Sequence, residues 1–420
     1  MNIKKKFKFN KNNKNLINNY IALSILQASN FIIPLISLPY LVRTLGAETF
    51  GLVMFAQAFI LFFHVIVDFG FTLSGVRSVS INRNNHQKLE EIFNSILIIK
   101  FFLIIISFII MIGIVTIFEK FTSDYILYII TFTWVIGQAL FPIWFFQGIE
   151  KMKYITIFKV LSQLIALVAI ILFVNSPEDY LFVPIFNALG FIIIGFISIV
   201  IILKEFKFKF FIPHFSILKD YFKESSHFFF SRAAVTIYTT SNAFVLGIFT
   251  NNTIVGYYSI AEKLYIALQA LYMPIVNVLY PYISKNRDVT LFKKIFKLAV
   301  FFNFFLVSIV FIITPYLVEL IAGVPIQESI DVFKIFLLVT LIVVPSILIG
   351  YPFLAALGYK GYANNSVIIA SIVHVVGLLV LAYINIINIY SIVQLLILTQ
   401  FVDLIIRIMG IRKNKLWNLS

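Results

Sequence analysis

Apolar stretches and short polar loops alternate along the whole chain. Each stretch has roughly the 20 apolar residues that a helix needs to cross the ~30 Å hydrocarbon core of a bilayer, and about twelve such stretches fill the 420 residues. The pattern therefore predicts an all-α polytopic membrane protein. The predicted spans are 16–42, 51–75, 95–118, 125–147, 155–174, 181–203, 225–249, 254–283, 292–316, 332–357, 363–384 and 390–411.

The predicted spans divide into two halves that show a weak internal repeat. Gly51 and Gln57 in the first half correspond to Gly256 and Glu262, which lie 205 residues later. An even number of spans in each half gives both halves the same orientation, as in transporters built from parallel repeats. We predict a basic N-terminus at 1–15, an N-terminal six-helix lobe at 16–203, a linker at 204–224, a C-terminal six-helix lobe at 225–411 and a tail at 412–420.

Lysines and arginines fall on alternate loops. The basic side comprises residues around 4–14, 77–88, 151–153, 204–223, 285–297, 360 and 412–415. The opposite side holds Arg43, Lys120 and Lys334 among mainly acidic residues. Because positive residues are retained on the cytoplasmic side, we predict that both termini are cytoplasmic. The net charge of +15 reflects this topology and attraction to anionic lipid headgroups, and we expect no nucleic-acid partner because the positive residues flank spans.

Composition supports a membrane protein and narrows the chemistry. Hydrophobic residues make up 61% of the chain and charged residues 12%, whereas soluble domains have roughly 45–50% and about 25%. The absence of cysteine excludes disulfides, thiol catalysis and cysteine metal sites. Neither a G-x-x-x-x-G-K-[ST] loop nor an H-E-x-x-H motif occurs. We therefore expect a protein that is not an enzyme and that holds no metal or bound cofactor.

Polar residues inside the spans mark a candidate cavity, because an unpaired polar group is costly in hydrocarbon. In the second span Gln57, His64 and Asp68 share one helical face, and the last two form a candidate proton- or cation-binding pair. Glu262 takes the position of Gln57 in the eighth span. Such groups also join helices by hydrogen bonds, and this alternative stays open. The candidate lining residues are Gln27, Asn30, Gln57, Trp134, Gln138, Gln147 and Gln269.

Three cations lie at successive predicted depths. Arg77 marks the cytoplasmic mouth, Arg232 lies in the inner half of its span, and Lys263 lies nearer the midplane or the outer half. A guanidinium holds a phosphate through two hydrogen bonds, so we predict that these cations bind an anionic head group. The alternative for Arg232 is that its guanidinium extends to the membrane interface. Asp403 and Arg407 are four residues apart in the last span and are expected to pair with each other.

Five ordered blocks carry a resemblance to a known family. They are LPYLVRTLGAETFGLVMFAQAF (38–59), DFGFTLSGVRSVS (68–80), FPIWFFQGIEKMKYI (141–155), SNAFVLGIFTNNTIVGYYSIAEKL (241–264) and YPYISK (280–285). The chain resembles the O-antigen flippases, the Wzx-type polysaccharide transporters of the multidrug/oligosaccharidyl-lipid/polysaccharide exporter superfamily, over nearly its whole length. The family pattern at the second block is close to D-Y-G-F-N-x-S-A-T-R, which Asp68 and Arg77 match and from which Phe69, Thr72, Gly75 and Val76 depart.

The resemblance implies a MATE-like fold in which two six-helix lobes enclose a V-shaped cationic cavity that opens alternately to each side. It also implies movement of undecaprenyl-diphosphate-linked oligosaccharide repeat units from the inner to the outer leaflet of a bacterial cytoplasmic membrane, for O-antigen or another surface polysaccharide. The diphosphate would meet Arg77, Arg232 and Lys263. A gradient of Na+ or H+, or the membrane potential, would supply the energy. The candidate ion-coupling groups are Asp68, His64 and Glu262. The expected partners are this lipid-linked oligosaccharide, membrane lipids and other surface-polysaccharide assembly proteins.

Three other functions stay open at this point. A drug or metabolite exporter of the same superfamily would share the spans and the lobes. A flippase for the lipid-linked peptidoglycan precursor would act on a chemically similar substrate. A polysaccharide polymerase or ligase typically needs a sizeable external loop for its catalytic groups, and the longest external segment predicted here is 317–331, which carries no evident catalytic set.

Overall fold

The chain folds into helices throughout its described part. The computed structural model describes residues 11–418, without the side chains of 11–18, 20, 231, 232, 234, 235, 237–239 and 418. Within this range every regular element is a helix, which confirms the predicted all-α class. The α-helices are α1 (Lys11–Asp68), α2 (Phe71–Ile81), α3 (His86–Ile117), α4 (Glu119–Thr122), α5 (Tyr125–Leu140), α6 (Ile143–Gly148), α7 (Met152–Phe173), α8 (Phe182–Glu205), α9 (Phe215–Phe249), α10 (Asn252–Ala270), α11 (Met273–Asn286), α12 (Val289–Ala322), α13 (Gln327–Ile349), α14 (Lys360–Tyr383) and α15 (Ile389–Lys413). Two 3-10 helices (Pro177–Leu181 and Leu416–Asn418) and a π-helix (Gly350–Ala355) complete the set.

Ten helical segments within the described residues are long and apolar enough to cross a membrane, so the chain is a multi-span membrane protein. The first segment, Ile21–Ile81, has 61 residues, and its length of ~90 Å is about three times the hydrocarbon thickness. Gly46, with φ 73° and ψ 165°, interrupts the helical geometry inside α1. The count of twelve spans and the boundaries of the two lobes remain predictions.

Three predicted spans are broken rather than continuous. The span predicted at 51–75 is interrupted where Phe69 and Gly70 adopt positive φ values of 45° and 80°, and the span at 125–147 is interrupted at Pro142, which has no N–H to donate. The span at 254–283 breaks between α10 and α11, where Pro274 occupies the first turn of α11. Broken helices are tolerated in membranes where they lie against protein or line a cavity.

Short polar side chains begin several helices. Asn85 accepts a hydrogen bond from the backbone N–H of Lys88 at the start of α3, and Asn251 accepts one from Ile254 at the start of α10. Each bond satisfies a backbone donor that has no partner inside the helix.

The segment predicted to be external is mostly helical. Helix α12 continues to Ala322, and α13 starts at Gln327. Within the predicted external segment 317–331 only 323–326 are therefore not helical, and its external position stays a prediction.

The linker between the two halves is fastened to α3. The side chain of Asn94 donates a hydrogen bond of 3.0 Å to the carbonyl oxygen of Lys209, and the carboxylate of Glu90 accepts the backbone N–H of the same residue. Phe208 is buried beside the rings of Phe93 and Phe145. The first part of the linker is therefore part of the N-terminal half.

Candidate functional site

A cavity lies between the first and second halves of the chain. It has two adjoining compartments of about 370 and 440 Å³. The residues that line both compartments are Met54, Gln57, Trp134, Asn187 and Lys263. Helices α1, α5 and α8 supply its wall on one side, and α9 and α10 supply Thr240, Ala243, Ser259 and Glu262 on the other. The predicted cavity residues of both halves therefore meet in one space.

Two lysines from opposite halves face this cavity. Lys263, predicted from the sequence, lines both compartments, and Lys159 of α7 lines the larger one. The six ion pairs among the described residues do not include Lys159. The sequence analysis missed Lys159, although a signal was present: Lys159 and Gln163 lie four residues apart on one face in the middle of an apolar span. Together the two lysines give the cavity positive charge for an anionic ligand.

Amide and aromatic side chains cover much of the remaining wall. Asn30 accepts a hydrogen bond of 3.2 Å from the amide nitrogen of Gln163, and the other end of that amide, Oε1 of Gln163, is buried without a partner among the described residues. A buried acceptor of this kind is costly unless a ligand or water donates to it. His64 lies against the ring of Trp134, with centroids 5.1 Å apart. These groups suit a hydroxyl-rich ligand.

The predicted lining residues are only partly brought together. Asn30, Gln57, Trp134 and Gln138 line the central cavity. Gln269 lines a separate cavity inside the second half. Gln27 is half-buried and Gln147 is exposed, and neither is among the residues that line the central cavity.

Glu262 lies between two cavities. It lines the central cavity and also a cavity of about 280 Å³ inside the second half. Its Oε1 accepts a hydrogen bond of 2.9 Å from the hydroxyl of Tyr258, one helical turn earlier. Lys263 is the next residue in the chain, and its positive charge attracts the same carboxylate. Of the candidate coupling groups, Glu262 and His64 face the central cavity.

Asp68, the third candidate coupling group, makes a buried ion pair. The ammonium of Lys100 on α3 lies 3.3 Å from Oδ1 of Asp68, and the side chains are 6% and 16% exposed. The hydroxyl of Thr72 donates to the same oxygen at 2.8 Å. This cluster surrounds the break between α1 and α2 and holds α3 beside it. The sequence analysis missed Lys100, whose partner is 32 residues away.

The remaining predicted cations differ in position. Arg77 is 62% exposed and lies 3.4 Å from a carboxylate oxygen of Glu224 on α9. Arg232 belongs to α9, but its side chain lies outside the described residues. The pair predicted in the last span is confirmed, since Arg407 and Asp403 lie 3.1 Å apart and are both buried.

The halves contact each other on the basic side of the cavity. The hydroxyl oxygens of Ser74 on α2 and Ser225 on α9 lie 2.7 Å apart. Phe69 stacks on Phe222 and Phe229 of α9, with centroids 4.3 and 4.7 Å apart. The α2–α9 contact therefore closes this side of the cavity.

A second contact closes the opposite side, and it joins the two glycines of the sequence repeat. A Cβ atom at Gly51 would lie 1.8 Å from the carbonyl oxygen of Asn252, and one at Gly256 would lie 2.1 Å from that of Ala47. Asn252 follows Ala47 by the repeat offset of 205 residues, so the α1–α10 contact is reciprocal. Beside it, the guanidinium of Arg43 donates to the carbonyl oxygens of Leu320 and Ile321.

Comparisons with known proteins agree with this arrangement. Residues 16–287 match a family model described as "Polysaccharide biosynthesis protein". The chain is 30% identical over 277 residues to a protein of Escherichia coli (strain K12) described as "Putative O-antigen transporter", covering 66% of this chain and 67% of that protein. A protein of Shigella dysenteriae with the same description is 30% identical over 277 residues, with 64% and 67% covered.

Two solved structures show the same fold. "Lipid II flippase MurJ, inward closed conformation" has a TM-score of 0.72 at 14% identity and covers 94% of this chain and 87% of its own. An inward-facing multidrug resistance MATE family transporter of the MOP superfamily has a TM-score of 0.66 at 13% identity and covers 96% and 99%. These likenesses confirm the predicted MATE-like fold.

Proposed function

Because this chain belongs to the polysaccharide biosynthesis protein family, we propose that it is a flippase and not an enzyme. It moves undecaprenyl-diphosphate-linked oligosaccharide repeat units from the inner to the outer leaflet of the bacterial cytoplasmic (inner) membrane, for O-antigen or another surface polysaccharide. The observation that carries this proposal is the cavity between the halves, which places Lys159 from one half opposite Lys263 from the other. The names of the matched relatives support the same substrate class.

The chemistry of the cavity fits the head group of such a lipid. Moving a diphosphate from water into hydrocarbon costs a large desolvation free energy, and charge-assisted hydrogen bonds from ammonium groups offset this cost. Sugar hydroxyls pair with amides such as Gln57, Gln138 and Gln163, and sugar rings pack on Trp134. The polyprenyl tail needs no site in the cavity, since it remains soluble in the bilayer.

Alternating access moves the head group across. The α2–α9 contact opens to admit it from the basic side, and the α1–α10 contact opens to release it. From the basic loops we predict that the first side, and both termini, face the cytoplasm. Arg77 meets the diphosphate at the cytoplasmic mouth after separating from Glu224, and Arg232 meets it further in. Both steps need only rigid movements of packed helices.

An ion gradient of Na+ or H+, or the membrane potential, supplies the energy. Glu262 is the leading coupling group, because it faces the cavity and neighbours Lys263. His64 faces the same space. Asp68 couples indirectly through its ion pair with Lys100, beside the α2–α9 contact. Other surface-polysaccharide assembly proteins remain proposed partners, and membrane lipids surround the spans.

The proposal predicts that the two cavity lysines are needed for transport. In a strain whose own flippase is deleted, we expect the Lys159→Gln and Lys263→Gln variants each to lower surface-glycan display about tenfold or more, because each loses a charged hydrogen bond of about 1.5–3 kcal/mol. Lys→Arg replacements at the same positions keep the charge and retain display. The measurement is surface glycan per unit of membrane-embedded protein.

Lys153→Gln is the matched control, since Lys153 is an exposed residue of the same helix α7. Normal display by the double variant Lys159→Gln/Lys263→Gln would contradict the proposal. Two further assays separate the alternatives. Dye efflux without glycan display would favour a drug exporter, and rescue of cells depleted of their peptidoglycan-precursor flippase would favour that substrate.

A further inference from the structure

His374 is fully buried at the junction of three helices. Its side chain, on α14, is 0% exposed. Nε2 lies 2.9 Å from Oδ1 of Asn242 on α9, and Nδ1 lies 3.0 Å from the hydroxyl oxygen of Thr399 on α15. The imidazole therefore ties α9 to α14 and α15. The cavity lysines and the two closures described above do not involve this residue.

The partners of His374 can hydrogen-bond the imidazole in either charge state. The hydroxyl of Thr399 lies 2.8 Å from the carbonyl oxygen of Leu395 and also contacts Nδ1. With a neutral imidazole, Thr399 donates its proton to Nδ1 and Nε2–H donates to Asn242. When a proton binds at Nδ1, the imidazole donates to Thr399 and the hydroxyl turns to donate to Leu395. Both arrangements satisfy the imidazole nitrogens, so the hydrogen bonds of the site are retained when a proton binds.

A row of polar side chains leads from His374 to the central cavity. The Asn242 side chain that accepts from Nε2 lines the same cavity as the hydroxyl-bearing Tyr258. That hydroxyl donates to Glu262 at 2.9 Å, and Glu262 lines the central cavity. Because an amide does not readily pass on a proton, these side chains align dipoles between His374 and Glu262 and do not conduct protons. Such buried networks couple charges more strongly than solvent-exposed ones.

The described side chains include few other titratable groups around this junction. Tyr258, Glu262 and Tyr265 face it from α10, and the Asp403–Arg407 ion pair faces it from α15. Because Asp403 and Arg407 offset each other's charge, Glu262 is the carboxylate among these described groups whose charge changes the field at His374. Tyr258, Glu262, Asp403 and Arg407 all line the cavity of about 280 Å³ that adjoins His374's partner Asn242.

We propose that His374 is a proton-binding site of the second half, and that its charge is coupled to the charge of Glu262 through Asn242 and Tyr258. A proton bound at His374 stabilises the Glu262 carboxylate, and neutralising Glu262 disfavours that proton. The same helix α9 that holds Asn242 also holds Ser225 and Glu224 of the α2–α9 contact. The role of this site in transport rests on the proposed function. In that function, proton binding at His374 couples the proton gradient to the opening and closing of the α2–α9 contact.

The coupling is testable without transport. The full chain, with ¹⁵N-labelled histidine, is placed in lipid nanodiscs, and the imidazole nitrogens are followed by NMR from about pH 3 to 8.5. The chain has five histidines, and the His374→Gln variant identifies the signal of His374. We expect this signal to titrate, and we expect Glu262→Gln to move its midpoint at least about half a pH unit lower.

Two further variants make the result specific. Tyr258→Phe removes the hydroxyl that donates to Glu262, and in this background Glu262→Gln should move the midpoint less than half as far. Glu319→Gln removes an exposed carboxylate of α12 and should leave the midpoint unchanged. Absence of any titration, or the same midpoint in the native chain and in Glu262→Gln, overturns the coupled site. Coupling seen together with failed glycan display overturns the proposed function instead.

Discussion

The Gly256→Val variant is expected to reach the membrane at normal abundance and to display no surface glycan above background. At the α1–α10 contact a Cβ on Gly256 would lie 2.1 Å from the carbonyl oxygen of Ala47, which is a backbone atom that cannot rotate away. The two helices would have to separate by more than 1 Å, since ordinary contacts start near ~3.5 Å. The side of the cavity opposite the basic loops then cannot close, and the transport cycle stops.

The absence of native cysteine allows a direct test of this arrest. Ser74→Cys and Ser225→Cys place two thiols at the α2–α9 contact, and disulfide formation between them reports closure of the basic side. In the Gly256→Val background we expect complete cross-linking that no longer responds to substrate. Gly113→Val is the control, because a Cβ at Gly113 meets no atom within 4 Å. Native-level display by Gly256→Val would show that the α1–α10 contact is not part of the cycle.

Removing either partner of the Asp68–Lys100 pair is expected to destabilise the protein strongly. An isolated charge left at this buried position costs about 3–5 kcal/mol, because the remaining group has lost its counter-charge and is far from water. Asp68→Asn and Lys100→Met should each lower the thermal midpoint in detergent and the abundance in the membrane. The double variant Asp68→Asn/Lys100→Met should be more stable than the less stable single variant, since it leaves no unpaired charge.

The Lys88–Glu91 pair on α3 provides the comparison. Its side chains are 41% and 23% exposed, and surface pairs contribute only about 0–1 kcal/mol. Lys88→Met should therefore change the midpoint little. If Asp68→Asn has equally little effect on stability but still abolishes glycan display, the carboxylate acts in ion coupling rather than in holding α3 beside the break.

The sequence predicts the larger features of this protein because the bilayer fixes them. Span length follows from hydrocarbon thickness, so the apolar stretches reveal the helices. The sequence repeat shows that Gly51 and Gly256 correspond to each other, and the structure shows in addition that they lie in contact. The breaks at Phe69–Gly70 and near Pro142 were not predicted, because hydropathy averages over a window and does not register a local change in backbone geometry.

The candidate site was predicted in part, and three residues show why. Lys263, Lys159 and Lys100 are all lysines within apolar spans. In the structure the first two face the cavity and the third meets Asp68. A single sequence shows that each ammonium needs a counter-charge or water, but it does not show which helix lies opposite. His374 was missed for the same reason, since its partners are 132 and 25 residues away.

The fastening of the linker to α3 determines where the two halves can pivot. Because the backbone of Lys209 is held by Glu90 and Asn94, the chain up to this residue moves with the first half. The turn before Phe215, which contains Pro213, must therefore absorb any rotation of the second half. Helix α9 has 35 residues, so it acts as a lever of ~52 Å, and a tilt of about 10° at the turn displaces its far end by roughly 9 Å.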